Sequence, residues 1–176
     1  NTELKSISAL YYDEIQNLLF IGTWEHGVKV YDPIAGKLLH DEFDFKILDK
    51  ERIYTITKGP DDNLWIGSFN KENLLDKFRF SNDETLNNTD IRCLITDDDK
   101  NILWVGSTKN GLFSMQFANG VTQKTNHYPE FEGSGQKIIA ENLYKDSFGN
   151  IWILCRNGIG KIESNNLPIK LPFLNG

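Results

Sequence analysis

Apolar and polar residues alternate in four short runs along the chain, at Ile7 to Tyr12, Ile53 to Thr57, Ile91 to Thr96 and Ala140 to Tyr144. A period of two places successive side chains on opposite faces of an extended strand. Each run leads into an acidic turn: Asp13-Glu14, Asp61-Asp62-Asn63, Asp97-Asp98-Asp99-Lys100-Asn101, and Asp146 to Asn150. Asn and Gly accept the positive φ that tight hairpins need, so each turn predicts a second strand folding back on the first. That second strand has a recurring signature. Asn17-Leu18-Leu19-Phe20-Ile21-Gly22-Thr23 returns as Asn63-Leu64-Trp65-Ile66-Gly67-Ser68, then as Asn101-Ile102-Leu103-Trp104-Val105-Gly106-Ser107, and again as Asn150-Ile151-Trp152-Ile153-Leu154-Cys155. The aromatics are 45, 39 and 48 residues apart, near the period of about 40 to 45 residues of a four-stranded propeller blade.

A third strand opens after each signature, at Gly27-Val28, Gly111-Leu112 and Gly158-Ile159. The second unit departs from this pattern, reading Lys71-Glu72-Asn73-Leu74-Leu75 with Asn73 in the place of Gly. Asn tolerates the left-handed conformation, so the turn is expected to survive in altered shape. Fourth strands are fainter, with candidates at Leu38 to Phe45, Phe78 to Phe80, Thr122 to Tyr128 and Ile169 to Phe173. No helical period persists over several turns, and Gly and Asn interrupt the chain too often for long helices. The expected fold is all-β: four four-stranded β-propeller blades forming a partial propeller over residues 1–176. Blade 1 covers about 6–48, blade 2 about 51–88, blade 3 about 89–132 and blade 4 about 138–176.

The unit apolar-x-x-Leu-x-x-Asp-x-x-Asn-Leu-Trp-Ile-Gly-Ser/Thr-x-x-x-Gly-Leu resembles the two-component regulator propeller repeat. The third unit matches most fully, through Ile91, Asp97, Asn101, Trp104, Gly106, Ser107, Gly111 and Leu112. The first carries Phe20 for Trp, the second lacks the late Gly, and the fourth has Leu154 for the mid-motif Gly. The resemblance implies large propellers in the periplasmic part of hybrid two-component sensors that respond to oligosaccharides. It also implies more blades than four, so the chain is expected to be an excised segment, touching the membrane only through parts of a parent protein. Propeller sheets protect their edges by closing into a ring. An open arc of four is expected to self-associate through its end faces, as a dimer.

Composition narrows the function classes. The chain has 176 residues, 19 Lys plus Arg against 25 Asp plus Glu, and a net charge of −6. Such a chain is poorly suited to sequence-independent binding of nucleic acid or anionic membrane. Cys93 and Cys155 have no CxxC spacing, and His26, His40 and His127 are scattered, so no metal motif or cofactor is expected. Asp97 to Asn101 invites a calcium reading, but the sixth and twelfth positions, Ile102 and Thr108, are unsuited to an EF-hand. The recurrence of the acidic turn in other units favours hairpin chemistry.

The four repeated aromatics are expected to pack between adjacent blades, because each sits mid-strand among aliphatic residues. A ligand site is sought instead where the units differ. By the resemblance, the run before the acidic turn is the innermost strand. The loops after the aromatic strands then share one rim with the loops leading into the inner strands. That rim gathers the candidate ligand-binding residues Trp24, Glu25, His26, Phe69, Asn70, Lys71, Lys109, Asn110, Arg156 and Asn157, with Arg52 and Arg92 from the loops before the inner strands. Tyr54, Asp90, Gln136 and Lys137 lie at the same end. Trp24 has no counterpart in the other units and offers an aromatic face for a sugar, while Arg, Asn and Glu offer hydrogen bonds to hydroxyls or a uronic carboxylate. No catalytic residues are assigned. The function the resemblance implies is a non-enzymatic extracytoplasmic sensory segment of a hybrid two-component regulator, helping to sense a glycan-type signal; the alternatives are a propeller lyase or glycosidase-like enzyme and a protein-interaction scaffold.

Overall fold

The computed structural model describes residues 4–39, 43, 45, 48–69, 86, 89–163 and 167–171. Within them the regular elements are β-strands and a 3-10 turn at Asp98–Lys100, with no α-helix. The first hairpin unit contains β1 (Ile7–Asp13), β2 (Leu18–Thr23), β3 (Val28–Asp32) and β4 (Lys37–Leu39). The second contributes β5 (Arg52–Lys58) and β6 (Leu64–Phe69). The third contains β7 (Ile91–Asp97), β8 (Ile102–Ser107), β9 (Gly111–Ala118) and β10 (Val121–Tyr128). The fourth contains β11 (Ala140–Lys145), β12 (Ile151–Cys155), β13 (Gly158–Ile162) and β14 (Pro168–Lys170).

Three units form four-stranded antiparallel meanders, and β5-β6 pair as a two-stranded sheet. The fourth strand of the first unit is described over Lys37–Leu39; of the expected Leu38 to Phe45, Phe43 and Phe45 are not in a strand and residues 40–42 and 44 lie outside the described residues. The expected strand at Ile169 to Phe173 starts one residue earlier, at Pro168, and is described to Lys170. Lys71 to Leu75 and Phe78 to Phe80 lie outside the described residues. The acidic turns behave as hairpin chemistry dictates. Asn17 and Asn101 take positive φ at 54° and 53°. Asp13 Oδ1 accepts the backbone N–H groups of Ile15 and Gln16 at 2.9 and 3.0 Å. Asp97, the first residue of the supposed calcium loop, instead accepts Lys145 Nζ from the next unit at 2.9 Å.

The sheets stack face to face in sequence order, with β1 against β5, β5 against β7 and β7 against β11. No comparable packing joins β11 to β1 among the described residues, so the four sheets form an open arc of blades. Each seam is filled by one blade's aromatic. Phe20 packs in a cluster with Ile56 and Ile66 of blade 2. Trp65 packs with Leu94, Leu103 and Val105 of blade 3, and Trp104 with Leu143 and Ile153 of blade 4. All three aromatics are buried, and each such burial contributes roughly 2 to 3 kcal/mol before entropic costs. These three aromatics pack between blades as expected, whereas Trp152 of blade 4 is only partly buried and has no described blade against it. Cys93 and Cys155 are free thiols buried in the seam between blades 3 and 4.

The mid-motif glycine has a steric cause. A Cβ at Gly22 would lie 2.6 Å from Ile53 Cγ2, and one at Gly67 2.7 Å from Ile91 Cγ2. One at Gly106 would meet Cys93 Sγ at 2.4 Å and Ala140 Cβ at 2.9 Å. Ile53, Ile91 and Ala140 are equivalent positions near the start of the next blade's inner strand, so glycine is what lets adjacent inner strands close up. In blade 4 the equivalent residue is Leu154, which is 52% exposed on a face that no described blade covers. Leu10 of blade 1, equivalent to buried Ile56, Leu94 and Leu143, is likewise 60% exposed.

Gly106→Ala is expected to destabilise by about 1 to 3 kcal/mol through overpacking. Leu154→Gly should cost about 1 kcal/mol or less, from strand propensity alone. Urea denaturation measures both, and equal costs would refute the close-approach account. The Trp152 Nε1–H and the Asn150 side chain donate to Asp146 and hold its carboxyl down at about 2. A depressed folded value means this stability is present above the unfolded value near 4 and is lost as pH falls towards 2. The melting temperature should therefore drop over that window, and Asp146→Asn should flatten the drop.

Candidate functional site

Each inner strand breaks register at the same place. Pairing skips one residue between Ile7 and Ala9, between Ile53 and Thr55, between Ile91 and Cys93, and between Ala140 and Asn142. The skipped residues are Ser8, Tyr54, Arg92 and Glu141. A bulge leaves its extra residue outside the ladder and re-aims its side chain. Here the four bulges aim four different side chains at one place. Together with Trp24, Thr55 and Asn142 they line a cavity of about 580 Å³ where the inner strands begin. Its size lies within the usual range of small-ligand sites.

The lining residues touch one another across the blade seams. Ser8 Oγ donates to the Ile53 carbonyl at 2.5 Å. Trp24 meets Tyr54 edge to face, with centroids 6.5 Å apart. The Arg92 guanidinium lies 4.2 Å above the centre of the Tyr54 ring, a cation–π contact that also restricts its rotamers. Arg92 Nε donates to Glu141 Oε2 at 3.2 Å, and Arg156 Nε donates to Glu141 Oε1 at 2.8 Å. Glu141 thus holds two arginines, one through each oxygen. Asn142 Oδ1 accepts the Leu143 N–H at 2.8 Å, which leaves its amide N–H groups as donors beside the cavity. Cys93 also lines the cavity, but burial, with a smaller contribution from nearby Cys155, pushes its thiol up to about 12. It stays protonated and is a poor nucleophile.

Of the residues expected at the rim, Trp24 and Arg92 line the cavity and Arg156 reaches it through Glu141. Tyr54, expected at the same end, is its aromatic floor. Glu25, His26, Arg52, Lys109, Asn110 and Asn157 do not line it. His26 is held by its backbone N–H on Thr23 Oγ1, and the N–H groups of Lys109 and Asn110 are held by Ser107 Oγ. Asp90 accepts the hydroxyls of Ser107 and Thr108, completing a structural turn. The Lys170 ammonium donates to Gln136 Oε1. Asn70, Lys71 and the side chain of Phe69 lie outside the described residues. Sequence reasoning misses Ser8, Glu141 and Asn142. The signal that finds Ser8 and Glu141 is positional, since both stand where Tyr54 and Arg92 stand in their own repeats.

Among the described residues no group of three His, Cys, Asp or Glu is placed to hold a metal ion. The Glu141 carboxylate is expected to couple measurably to Arg92 and weakly to Arg156. The Arg92 pair is the less exposed, and hydrogen bonds to charged groups are worth about 1.5 to 3 kcal/mol when well shielded. Arg156 is 71% exposed, where such pairs contribute about 1 kcal/mol or less. Double-mutant cycles pairing Glu141→Gln with Arg92→Gln and with Arg156→Gln, followed by urea midpoints, measure both. A coupling to Arg156 as large as that to Arg92 would contradict this ranking.

No curated protein matches the chain. The sequence model of the two-component regulator propeller family matches residues 47–70, which run into the bulged inner strand of blade 2 and through its aromatic strand. Among solved structures, the chain is similar to an extracellular domain assigned to a hybrid two-component system of B. thetaiotaomicron, at 24% identity and a TM-score of 0.68. That match covers 96% of this chain and 22% of the other. A second extracellular domain from B. thetaiotaomicron, assigned to a one-component system, is similar at 20% identity and TM-score 0.61, over 87% of this chain and 21% of that one. A virginiamycin B lyase from Staphylococcus aureus is similar at 14% identity and TM-score 0.61, over 99% of this chain and 58% of that one. The chain therefore spans about a fifth of the length of the two extracellular domains. The fold is that of a stretch of β-propeller, and within it residues 47–70 match the two-component regulator propeller model.

Proposed function

We propose that this chain is a sensory, non-catalytic stretch of an extracytoplasmic two-component regulator, and that the cavity at the start of its inner strands receives a glycan signal. One observation carries the reading: equivalent bulge positions in four repeats deliver four chemically different residues, Ser8, Tyr54, Arg92 and Glu141, to a common cavity. Scaffold positions recur from unit to unit, whereas these positions vary, as a specific binding site on a repeat frame requires. Trp24 is half exposed at the mouth and offers an apolar face of the kind that stacks on sugar rings. The carboxylate present, Glu141, has both oxygens occupied by arginine N–H groups, which suits a positioned acceptor better than a proton shuttle.

The similarity to extracellular domains of bacterial regulators supports a periplasmic location and a role in signalling. A ligand shifts a conformational equilibrium only through unequal affinity for its states. A sugar bridging residues of several blades is suited to that, because its contacts change whenever the blades move relative to one another.

The test is to incubate the protein with a digest of plant and animal polysaccharides, wash, and identify retained oligosaccharides by mass spectrometry. Retention of sugars of unchanged mass, lost in Trp24→Ala, is the expected result. Products bearing an unsaturated or newly cleaved end would establish the lyase or glycosidase reading. No retention by the parent protein would remove glycan sensing.

A further inference from the structure

Resting on that reading of the cavity, we infer that its ligand is an acidic saccharide, whose carboxylate or sulfate binds to the terminal amino groups of Arg92 and Arg156. Two guanidinium groups face one carboxylate here, so the cluster keeps one positive charge in excess. Both arginines are fixed through Nε, at 3.2 and 2.8 Å from the two oxygens of Glu141. The terminal Nη groups of both have no hydrogen-bond partner among the described residues. An arginine anchored by Nε has already lost much of its rotamer freedom, so a ligand engaging its Nη pair meets an ordered donor fork. The guanidinium fork matches a planar carboxylate through two parallel N–H···O bonds, and it also serves sulfate oxygens.

The rest of the wall fits the remainder of such a sugar. Arg92 is held over Tyr54, and Trp24 meets that ring edge to face, so aromatic surface lies alongside the anion site. Asn142 supplies neutral donors next to Glu141 for ring hydroxyls. A neutral sugar would leave the Nη donors to water, whereas an anionic one pairs them in a partly shielded site. The preference is thus built into the charge and geometry of the Arg92–Glu141–Arg156 cluster.

Isothermal titration of the parent chain at fixed salt tests this, using matched pairs of oligosaccharides. The probes are oligogalacturonate and its methyl ester, which removes the charge and keeps the chain, and chondroitin sulfate fragments before and after desulfation, with neutral xylo-oligosaccharides as a further arm. The expected result is binding of at least one acidic probe about tenfold or more tighter than its neutral partner. That preference should shrink by about tenfold in Arg92→Gln and in Arg156→Gln, the second variant being at an exposed position that leaves folding intact. Tighter binding of the uronate or of the sulfate names the source of the anion. Equal binding of charged and neutral partners, abolished by Trp24→Ala, would overturn the acidic ligand and leave the glycan site standing. If no probe binds, the inference fails, and the retention experiment decides whether the glycan reading fails with it.

Discussion

The seam between blades is the interaction on which everything else in this chain depends. One large aromatic from the second strand of a blade is laid against an aliphatic pair on the next, as Trp65 lies against Leu94 and Val105. A single β-hairpin unit cannot stably bury its apolar face alone, so each repeat becomes stable by covering its neighbour. The glycine two positions after the aromatic belongs to the same seam. It removes the side chain that would hold the next inner strand away, and Gly22, Gly67 and Gly106 each meet the next blade at a position where no Cβ fits. Aromatic knob and glycine notch are one device, which explains why they recur together. Where the described seams end, in blade 4, Leu154 fills the notch and Trp152 is only partly buried.

The close approach of the inner strands has a consequence for the site. Strands that lie this near one another must splay where they enter the sheet, and the bulges at Ser8, Tyr54, Arg92 and Glu141 are where they do so. A bulge increases local twist and frees one residue per strand from pairing. Repetition of the seam therefore produces repetition of a free position, and four such positions converge because the strands themselves converge. The frame is symmetric, while the chemistry placed on it is not.

Much of this was legible in the residues. The inner strands, aromatic strands and hairpin turns follow from alternation and from Asp, Asn and Gly punctuation, and the structural role of Trp104 follows from its aliphatic neighbours. The rim was legible as a region but not residue by residue. Alternation assigns Glu141 to one face of a regular strand, and only the register slip between Ala140 and Asn142 turns it towards the cavity. Glu25, Lys109 and Asn157 are as polar and as variable as Arg92, and nothing in composition distinguishes a side chain on the outer slope of a turn from one on the inner. Weak strands were the least legible. Phe43 and Phe45 suit a strand, yet both lie outside β4 and pack beside Phe20.

The contacts among the bulge residues bear on how such a site communicates. Ser8 donates to a carbonyl of blade 2, Tyr54 supports Arg92 of blade 3, and Arg92 donates to Glu141 of blade 4. Ser8, Tyr54 and Arg92 thus each lean across a seam onto the following blade. A ligand that engages Arg92 would alter contacts to blades 2 and 4 at once, because Tyr54 lies against the face of the same guanidinium whose Nε donates to Glu141. The apolar parts of the seams resist sliding, since a close-packed interior does not deform continuously. Small rotations of blades about these seams are then the movement open to the arc, with the polar cluster at its mouth as the element most sensitive to them. On the proposed glycan reading, the side chains that would contact the ligand are also those that lean across the seams, so recognition and response would rest on the same few residues.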